Sequence, residues 1–347
     1  MTWLLYGANG YTGALVAREA AARGLRPILA GRRAESVVPL AAALGLEHRV
    51  FPLADPPALR AGLEGVRAVL HCAGPFARTA RPMVDACLTV GAHYLDVTGE
   101  VVVFETLAAR DAEARDRGVT LLPGVGFDVV PSDCLAAHLK RRLPTATRLA
   151  LAFVTSGGPS RGTARTALEN AHRGGLVRRG GALTPVPTAW RTRMVDFGRG
   201  PRSVVSIPWG DVSTAWHSTA IPDIEVYVAM SRAAILGLRA ARPFLGALRS
   251  RRIRRLVLRR YDTAPGPTDE QRAAGFSVHW GEVEDTEGRR AAARQRGPDG
   301  YTLTVRAALA SLARVLEGGV APGFQTPSRA FGPDFVLGLE GVAREDL

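Results

Sequence analysis

The stretch that decides the fold is Thr2–Arg33, TWLLYGANGYTGALVAREAAARGLRPILAGRR. A short apolar run at residues 3–5 is followed by three glycines, Gly7, Gly10 and Gly13, and then by a helical pattern that ends at Gly24. A second apolar run covers residues 27–30. A strand, a glycine turn, a helix and a second strand within about 30 residues are what a dinucleotide-binding unit requires.

The three glycines have different tasks in such a turn. One permits the tight bend, one lets the backbone approach the pyrophosphate, and one lets the helix pack closely on the strand. The spacing G-x-x-G-x-x-G differs from the commoner G-x-G-x-x-G, so the flanking strand and helix carry the interpretation. The helix offers its unpaired N–H groups and the positive end of its dipole to the phosphates. We expect the cofactor contacts to include Gly7, Asn9, Gly10, Tyr11, Thr12 and Gly13.

The second strand ends in Gly31, Arg32 and Arg33, about 20 residues beyond the turn, where an NAD-binding chain usually has Asp or Glu for the ribose hydroxyls. Guanidinium groups suit a phosphate instead. We therefore expect NADP (NADPH) as the cofactor, with Arg32 and Arg33 on the 2′-phosphate. The alternative is that both arginines are the solvated start of the next helix.

Composition describes a globular protein with room for two domains. The chain has 347 residues, 46% hydrophobic and 22% charged, and its first residues lead straight into the first predicted strand. We expect no signal peptide, no membrane-spanning segment and a cytoplasmic location. The three cysteines and seven histidines are scattered, which disfavours disulfides and a metal site. The net charge of +13 is almost wholly arginine, and such a bias can come from genome composition as well as from function.

Strands and helices alternate regularly to about residue 133, which predicts a Rossmann-type, doubly wound parallel sheet. Asp55 follows the third predicted strand, where the adenine would lie. A small-residue turn follows the fourth, at the crevice where α/β sheets bind ligands. For this turn we expect contact with the nicotinamide half of the cofactor through Ala73, Gly74, Pro75 and Phe76. Residues 101–117 read as one long helix.

Less regular strands follow and indicate an α+β substrate domain with an antiparallel or mixed sheet over residues 134–302. We expect strands at 149–154, 204–207, 224–230, 276–283 and 301–305. A helix at 304–316 opens a C-terminal segment, 303–347, that we expect to pack at the domain interface.

Residues 231–261 contain ten arginines and no acidic residue, interleaved with apolar residues. Pro243 is expected to divide this stretch into two amphipathic segments. It could contact a membrane surface, dock an acidic acyl-carrier partner or cover the domain with solvated arginines. We do not expect nucleic-acid binding, because base-stacking aromatic residues and a recognition motif are lacking.

The motifs GANGYTG, LAGRR, HCAGPF, YLDVTGE, LLPGVGFDVVPSDCLA, SIPWGDVSTAWHST and GFQTPSRAFGPDFVL resemble the saccharopine dehydrogenase-like oxidoreductases. Within that family, the chain is most similar to the trans-acting enoyl reductases. The resemblance covers nearly the whole chain and implies an NADP-binding Rossmann domain, an α+β domain and hydride transfer. Characterised members reduce a carbon–carbon double bond in a polyketide-derived lipid or form saccharopine.

Three residues are candidates for moving a proton. His217 can donate a proton near neutral pH, although a structural histidine is the commoner finding. Asp128 could orient substrate or relay a proton, or simply bond turn amides. Tyr227 is the third candidate. Glu100 is ambiguous, because acids near a helix start are favoured by the dipole alone.

The loop from Ser156 to Thr163 resembles an anion site with Arg161, or an ordinary strand-to-helix connection. No motif clearly supplies the paired cations that several substrate carboxylates would need. We therefore expect an NADPH-dependent reductase of a hydrophobic, lipid- or polyketide-derived enoyl substrate, free or carrier-bound. The alternatives are a non-catalytic NADP-binding protein on lipid surfaces, including a peripheral contact at the inner face of the plasma membrane, and a saccharopine-type amino acid reductase. A homodimer is left open.

Overall fold

The computed structural model describes residues 2–156, 171–250 and 266–347. The chain forms two compact units, the first Met1–Val130 with Tyr301–Phe331 and the second Pro131–Gly300 with Gly332–Leu347. These bounds lie close to the expected 133 and 302, but the C-terminal segment, expected as one piece, is divided between the units. That it packs at an interface stays a prediction.

The first half of the chain alternates between short strands and helices. The strands are β1 Trp3–Tyr6, β2 Ile28–Gly31, β3 His48–Val50, β4 Ala68–His71, β5 His93–Asp96 and β6 Thr120–Leu122. The helices are α1 Tyr11–Ala22, α2 Ala34–Leu44, α3 Pro56–Gly62, α4 Phe76–Val90, α5 Val101–Ala108, α6 Asp111–Asp116 and α7 Val130–Arg142.

The second half contains more strands, in longer runs. They are β7 Arg148–Thr155, β8 Gly175–Arg179, β9 Ala182–Val186, β10 Thr192–Asp196, β11 Pro201–Ser206, β12 Asp223–Ala229, β13 Phe276–Glu284, β14 Arg290–Pro298, β15 Gly323–Phe324 and β16 Ala343–Asp346. The helices are α8 Asp211–Thr219, α9 Arg232–Leu245, α10 Asp269–Ala273, α11 Gly300–Glu317 and α12 Pro327–Phe331.

The first unit contains a parallel sheet in the order β15-β6-β5-β4-β1-β2-β3. Alternate residues of β1 enter two apolar cores, one on each face: Leu4 and Tyr6 on one side, Trp3 and Leu5 on the other. The order in which strands are added to the sheet reverses between β1 and β4, and this is the topological switch point where such sheets bind ligands. The predicted Rossmann-type sheet is confirmed.

The second unit contains a mixed sheet in the order β10-β11-β12-β7-β13-β14-β16, with β8 and β9 attached at β12. Strands β12 and β7 pair in parallel, and the other neighbours pair antiparallel. The predicted α+β domain with a mixed sheet is confirmed. Within the described ranges, no helix combines the length and the apolar character needed to cross a membrane.

Two local predictions were wrong. The helix expected at 101–117 is broken at Ala109 and Arg110, where the guanidinium of Arg110 pairs with Glu113 and Asp85. The strand expected at 301–305 is the first turn of α11. Its threonine and valine favour a strand locally, but the buried positions of α11, including Leu303, Ala307 and Ala308, recur at helical spacing.

Prolines also had less effect than expected. Helix α2 begins at Ala34 and continues through Pro39 to Leu44. Helix α9 continues through Pro243 to Leu245 instead of dividing there. Residues 251–261 of the arginine-rich stretch lie outside the described residues.

Candidate cofactor and active site

The turn between β1 and α1 leaves no room for side chains at its first and third glycines. Gly7 has φ +82°, and a Cβ there would lie 2.8 Å from the Ala73 Cβ. A Cβ at Gly13 would overlap the Gly7 carbonyl oxygen and lie 2.9 Å from the Gly7 carbonyl carbon. The first glycine thus makes the bend beside the β4–α4 turn, and the third lets α1 pack onto it.

The amino end of α1 is open to an anion. Gly10 is its N-cap and, within the described residues, no side chain caps the helix and its first turn contains no acid. Helix N-termini carry unsatisfied N–H groups and about half a positive charge. Tyr11 and Thr12 are half-buried in this first turn, and the ring of Tyr11 meets Tyr301 edge-on at 4.8 Å between centroids. The residues present therefore fit a pyrophosphate.

The carboxyl end of β2 presents two exposed guanidiniums. Arg32 lies close enough to Tyr6 for its charge to oppose the effect of burial, which raises the pKa of Tyr6 to about 12. Arg33 is the N-cap of α2, with its Nε 3.8 Å from Glu35 Oε1. Exposed cations at the edge where α1 begins are suited to a 2′-phosphate.

Other predicted cofactor contacts are placed at the same edge. The exposed Asn9 lies beside Gly31, where a Cβ would be 3.1 Å from the Asn9 Oδ1. Asp55 is exposed, but its Oδ1 accepts from the Ala58 amide at 3.1 Å and so caps α3. Its role as an adenine contact stays a prediction.

The β4–α4 turn brings Ala73, Gly74, Pro75 and Phe76 next to the glycine turn, with a cis peptide between Gly74 and Pro75. The Thr79 hydroxyl donates to the carbonyl of Ala73 at 2.7 Å and contacts that of Pro75 at 3.2 Å. These bonds fix the turn that sequence reasoning assigned to the nicotinamide half.

Beneath this turn lies His71, the last residue of β4. It is fully buried, and neither ring nitrogen has a hydrogen-bond partner among the described residues. Its ring meets Phe76 edge-on at 5.4 Å and lies against Tyr6 and Tyr94. Burial lowers the pKa of His71 to about 3, so the imidazole is neutral and serves as part of an aromatic floor.

Glu100 directly precedes α5, but its carboxylate caps the amino end of α4. Its carboxylate accepts from the amides of Phe76, at 2.8 Å, and Ala77, at 3.1 Å, at the amino end of α4. The side chain is buried, and Thr98 accepts from the Glu100 amide at 3.0 Å. The protein's own carboxylate thus occupies the anion-binding end of α4.

Asp96, at the carboxyl end of β5, was missed from the sequence. It is fully buried and accepts from the Tyr94 hydroxyl at 2.7 Å, the Thr98 amide at 3.0 Å and the Gly124 amide at 2.9 Å. Burial raises the pKa of Asp96 to about 6, although these hydrogen bonds oppose the shift. An acid at the end of a predicted strand was the signal available in the sequence. Through its bonds to Thr98 and Gly124, Asp96 joins the loops that follow β5 and β6.

Asp128 lies on the β6–α7 loop, half-buried against the loop that follows β5. A Cβ at Gly99 would be 2.7 Å from the Asp128 Oδ2, so the carboxyl group packs directly on that glycine. Burial raises the pKa of Asp128 to about 7. A carboxyl group that exchanges its proton near neutral pH, at the carboxyl edge of the sheet, can act as a general acid or base.

The other two candidates lie in the second unit. His217 is half-buried on α8, between Trp216, which stacks with Arg178, and Ser218, which donates to the buried Asp133. Tyr227 is buried in the core of the mixed sheet, and its hydroxyl donates to Glu225. Their catalytic roles stay predictions. Residues 157–163 of the expected anion loop, including Arg161, lie outside the described residues.

Comparison with known families supports the cofactor assignment. Residues 3–122 match the family described as the saccharopine dehydrogenase NADP binding domain. This range contains the whole glycine turn, both arginines and strands β1 to β6.

Sequence relatives carry a more specific name. A trans-acting enoyl reductase of Mycobacterium bovis is 34% identical over 147 residues, which is 40% of this chain and 35% of that protein. The Mycobacterium leprae protein of the same name is 34% identical over 148 residues, with the same shares. The chain thus matches about a third of the length of these curated relatives.

Solved structures extend the likeness of fold to the second unit. Saccharopine dehydrogenase from Saccharomyces cerevisiae superposes with a TM-score of 0.70 at 12% identity, covering 100% of this chain and 99% of that one. Homospermidine synthase from Legionella pneumophila, solved in complex with NAD, gives a TM-score of 0.66 at 10% identity, covering 100% and 91%. At such low identity these matches show the fold alone. Over residues 3–122 the chain therefore resembles the saccharopine dehydrogenase NADP binding domain, and over its whole length it shares the fold of these two solved structures.

Proposed function

We propose that this chain is an NADPH-dependent reductase of a hydrophobic enoyl substrate derived from a lipid or polyketide. The observation that carries the proposal is the first unit's open α1 amino end, built on Gly7 and Gly13 and flanked by Arg32 and Arg33. The name shared by the curated relatives supports the enoyl substrate class.

The chain's own residues suggest how the site would work. The amides at the start of α1 would hold the pyrophosphate, and Arg32 and Arg33 the 2′-phosphate. NADPH, when bound, supplies the hydride. The turn Ala73–Phe76 would position the nicotinamide end over a floor formed by the buried His71 and the half-buried Phe76.

Reduction of a carbon–carbon double bond also needs a proton, and we propose the Asp128 carboxyl group as its source. It belongs to the unit that holds the cofactor turn, and its pKa of about 7 leaves it largely protonated below neutral pH. The folded-state pKa is raised above the ordinary value of 3.8, so the proton is retained on folding and released as the pH rises through about 7.

A substrate panel tests the reductase function. Enoyl-thioesters and lipid enones are added to the protein with saturating NADPH, and loss of the reduced cofactor's absorbance is followed. Lysine with an oxo acid, or aminoadipate semialdehyde with glutamate, tests a saccharopine-type reaction in parallel. Turnover only in this second group, or none in either despite cofactor binding, would reject the enoyl reductase.

Variants then separate the proton donors. Asp128→Asn should lower kcat by about 100-fold or more and leave NADPH affinity unchanged. In the wild type, kcat should fall as the pH rises above about 7. Tyr227→Phe should have little effect, and His217→Gln measures the competing donor. A full rate with Asp128→Asn would show that Asp128 is not the proton donor.

A second candidate function, NADP binding at a lipid surface, is favoured by helix α9. The side chains of Leu236 and Phe244 are 63% and 75% exposed, although Ile235 and Leu238 pack inward. Arg232 is exposed nearby, whereas Arg239 and Arg242 donate to backbone carbonyls of residues 188–190.

Flotation with anionic and neutral vesicles tests this candidate. Binding to anionic vesicles that survives moderate salt, and that falls at least about ten-fold in Leu236→Gln/Phe244→Gln, would support it. Met194→Gln, which changes a 53% exposed residue on β10, is the matched control. If the wild type does not float, the candidate is rejected.

A further inference from the structure

A small cavity in the second unit is bordered by three arginines. It measures about 210 Å³ and lies at the ends of β7, β13 and β14, below the turn that joins β10 to β11. Its apolar wall is formed by Val154, Phe197, Phe276 and Val278, and its polar rim by Arg199, Arg202 and Arg296.

No described carboxylate forms a direct ion pair with the three rim guanidiniums, although the charge of Glu345 acts on Arg296. Among the described residues, none of them lies within 4.0 Å of a carboxylate oxygen. The nearby acids are committed to a neighbouring cation: Arg294 pairs with Glu345 and lies 4.0 Å from Asp196. Three like charges around one opening repel each other, and a bound anion would offset this repulsion.

The β10–β11 turn holds this arrangement in place. Asp196 accepts from the amides of Gly198, at 2.7 Å, and Gly200, at 3.0 Å. Gly198 has φ +92°, and a Cβ there would lie 2.6 Å from the Arg296 Nη2. The positive φ favours glycine at this position, and the Arg296 guanidinium lies directly against it.

The apolar wall is fixed as well. The Arg199 guanidinium lies 5.6 Å from the centre of the Phe276 ring, a cation–π contact between the rim and the wall. Ser277 is buried and its hydroxyl donates to the Pro298 carbonyl at 2.8 Å, so it does not add a polar group to the wall. An apolar interior with cations at its mouth matches a ligand that is charged at one end only.

We propose that this cavity binds an anionic head group, phosphate or carboxylate, joined to a short apolar chain. Planar guanidiniums form paired hydrogen bonds with both groups. The volume equals that of about seven water molecules, so it suits a head group and a few methylenes rather than a whole large ligand. The site lies entirely in the second unit and does not depend on the proposed reductase function.

Titration calorimetry with hexyl phosphate, hexanoate and hexanol tests the proposal, in phosphate-free buffer with saturating NADPH to fill the α1 site. Hexyl phosphate or hexanoate should bind at least about ten-fold more tightly than hexanol. The stronger of the two anions identifies the head group. Each methylene added between ethyl and hexyl phosphate should improve affinity roughly three- to four-fold.

Two variants and one control assign the binding to the cavity. Arg199→Gln/Arg202→Gln and Arg296→Gln should each weaken the preferred anion by about ten-fold or more. Arg290→Gln is the control, because Arg290 lies on the same strand as Arg296, outside the cavity, and is paired with Glu284. It should leave the affinity unchanged.

Three outcomes would overturn the proposal: equal binding of hexanol, an equal loss in Arg290→Gln, or no loss in either cavity variant. Unfolding midpoints of the variants confirm that they fold. A wild type that fails to bind NADPH would reject the reductase function but leave this titration interpretable, since the head-group probes can be tested without the cofactor.

Discussion

Two helices of the first unit begin at the same edge of the parallel sheet, and their amino ends are treated in opposite ways. At α1 the N-cap is a glycine, and no side chain among the described residues caps the helix. At α4 the buried carboxylate of Glu100 accepts from the first two amides. Both ends carry the same partial positive charge, so they differ in whether a carboxylate of the protein neutralises it. The α4 end is neutralised by the protein's own carboxylate, and the α1 end, which lacks a side-chain cap, is the proposed site of the cofactor phosphates.

The largest effect should come from a substitution that displaces the amino end of α1. In Gly13→Ala the new Cβ would overlap the Gly7 carbonyl oxygen, so α1 must move. We expect a loss of roughly 3 kcal/mol or more in unfolding free energy and no measurable NADPH binding. Chemical denaturation and a cofactor titration measure the two effects. Gly237→Ala, where a Cβ meets no atom within 4 Å, is the control and should be neutral or slightly stabilising. Normal NADPH binding by Gly13→Ala would show that α1 does not hold the pyrophosphate.

Removing the guanidiniums of Arg32 and Arg33 tests whether they bind the 2′-phosphate of NADPH. Arg32→Ala/Arg33→Ala should weaken NADPH by roughly 1.5 to 3 kcal/mol and NADH by little, because only NADPH carries the 2′-phosphate. Titrations of both cofactors give the difference directly. Arg23→Ala, an exposed arginine paired with Glu19, should change neither. A similar loss for NADH would contradict the assignment.

The closed end should be sensitive to acid through His71. The pKa of His71 is about 3 in the folded protein and ordinarily 6.5. Between these pH values the imidazole is protonated in the unfolded chain and neutral in the folded protein. Stability is therefore unaffected above pH 6.5 and lost as the pH falls, by about 2 kcal/mol between pH 6.5 and 5. Denaturation of the wild type and of His71→Phe at both pH values measures this contribution by difference. If both proteins lose the same stability, the imidazole is not excluded from water.

The smallest effect should come from opening the closed end. Glu100→Ala should cost about 1 to 2 kcal/mol, because two amides of α4 lose their acceptor, and Glu100→Gln should cost less. Sulfate should restore part of the loss in Glu100→Ala by taking the vacated position. Denaturation with and without sulfate shows this, with Glu47→Ala, an exposed acid just before β3, as the control. Equal sulfate effects in all three proteins would mean that α4 gains no anion site.

The same two ends show how far the sequence could be interpreted. Local spacing was sufficient for α1, since its three glycines, its strand and its arginines lie within one stretch. The cap of α4 could not be inferred, because Glu100 lies 24 residues from Phe76 and reaches it only through the pairing of β4 with β5. The pKa of Asp128 likewise depends on its packing against Gly99, which no sequence pattern indicates.

In the second unit the limit was of another kind. Strand β14 has the sequence RAAARQRGP, in which alanine and arginine hide the alternation that marks a half-buried strand. Strands β8 to β10 were missed as well. The arginine cavity joins residues from hairpins whose pairing was not predicted, so it could not have been found from the sequence.

The return of the chain at Tyr301 has a consequence for biosynthesis. Strand β15 pairs with β6, and the apolar face of α11, including Val305, Leu309 and Leu312, completes one of the two cores around β1. A ribosome that has finished the six strands of the cofactor sheet has yet to make these residues. The nascent first unit must therefore wait, with part of its core uncovered, until nearly all of the second unit has been translated.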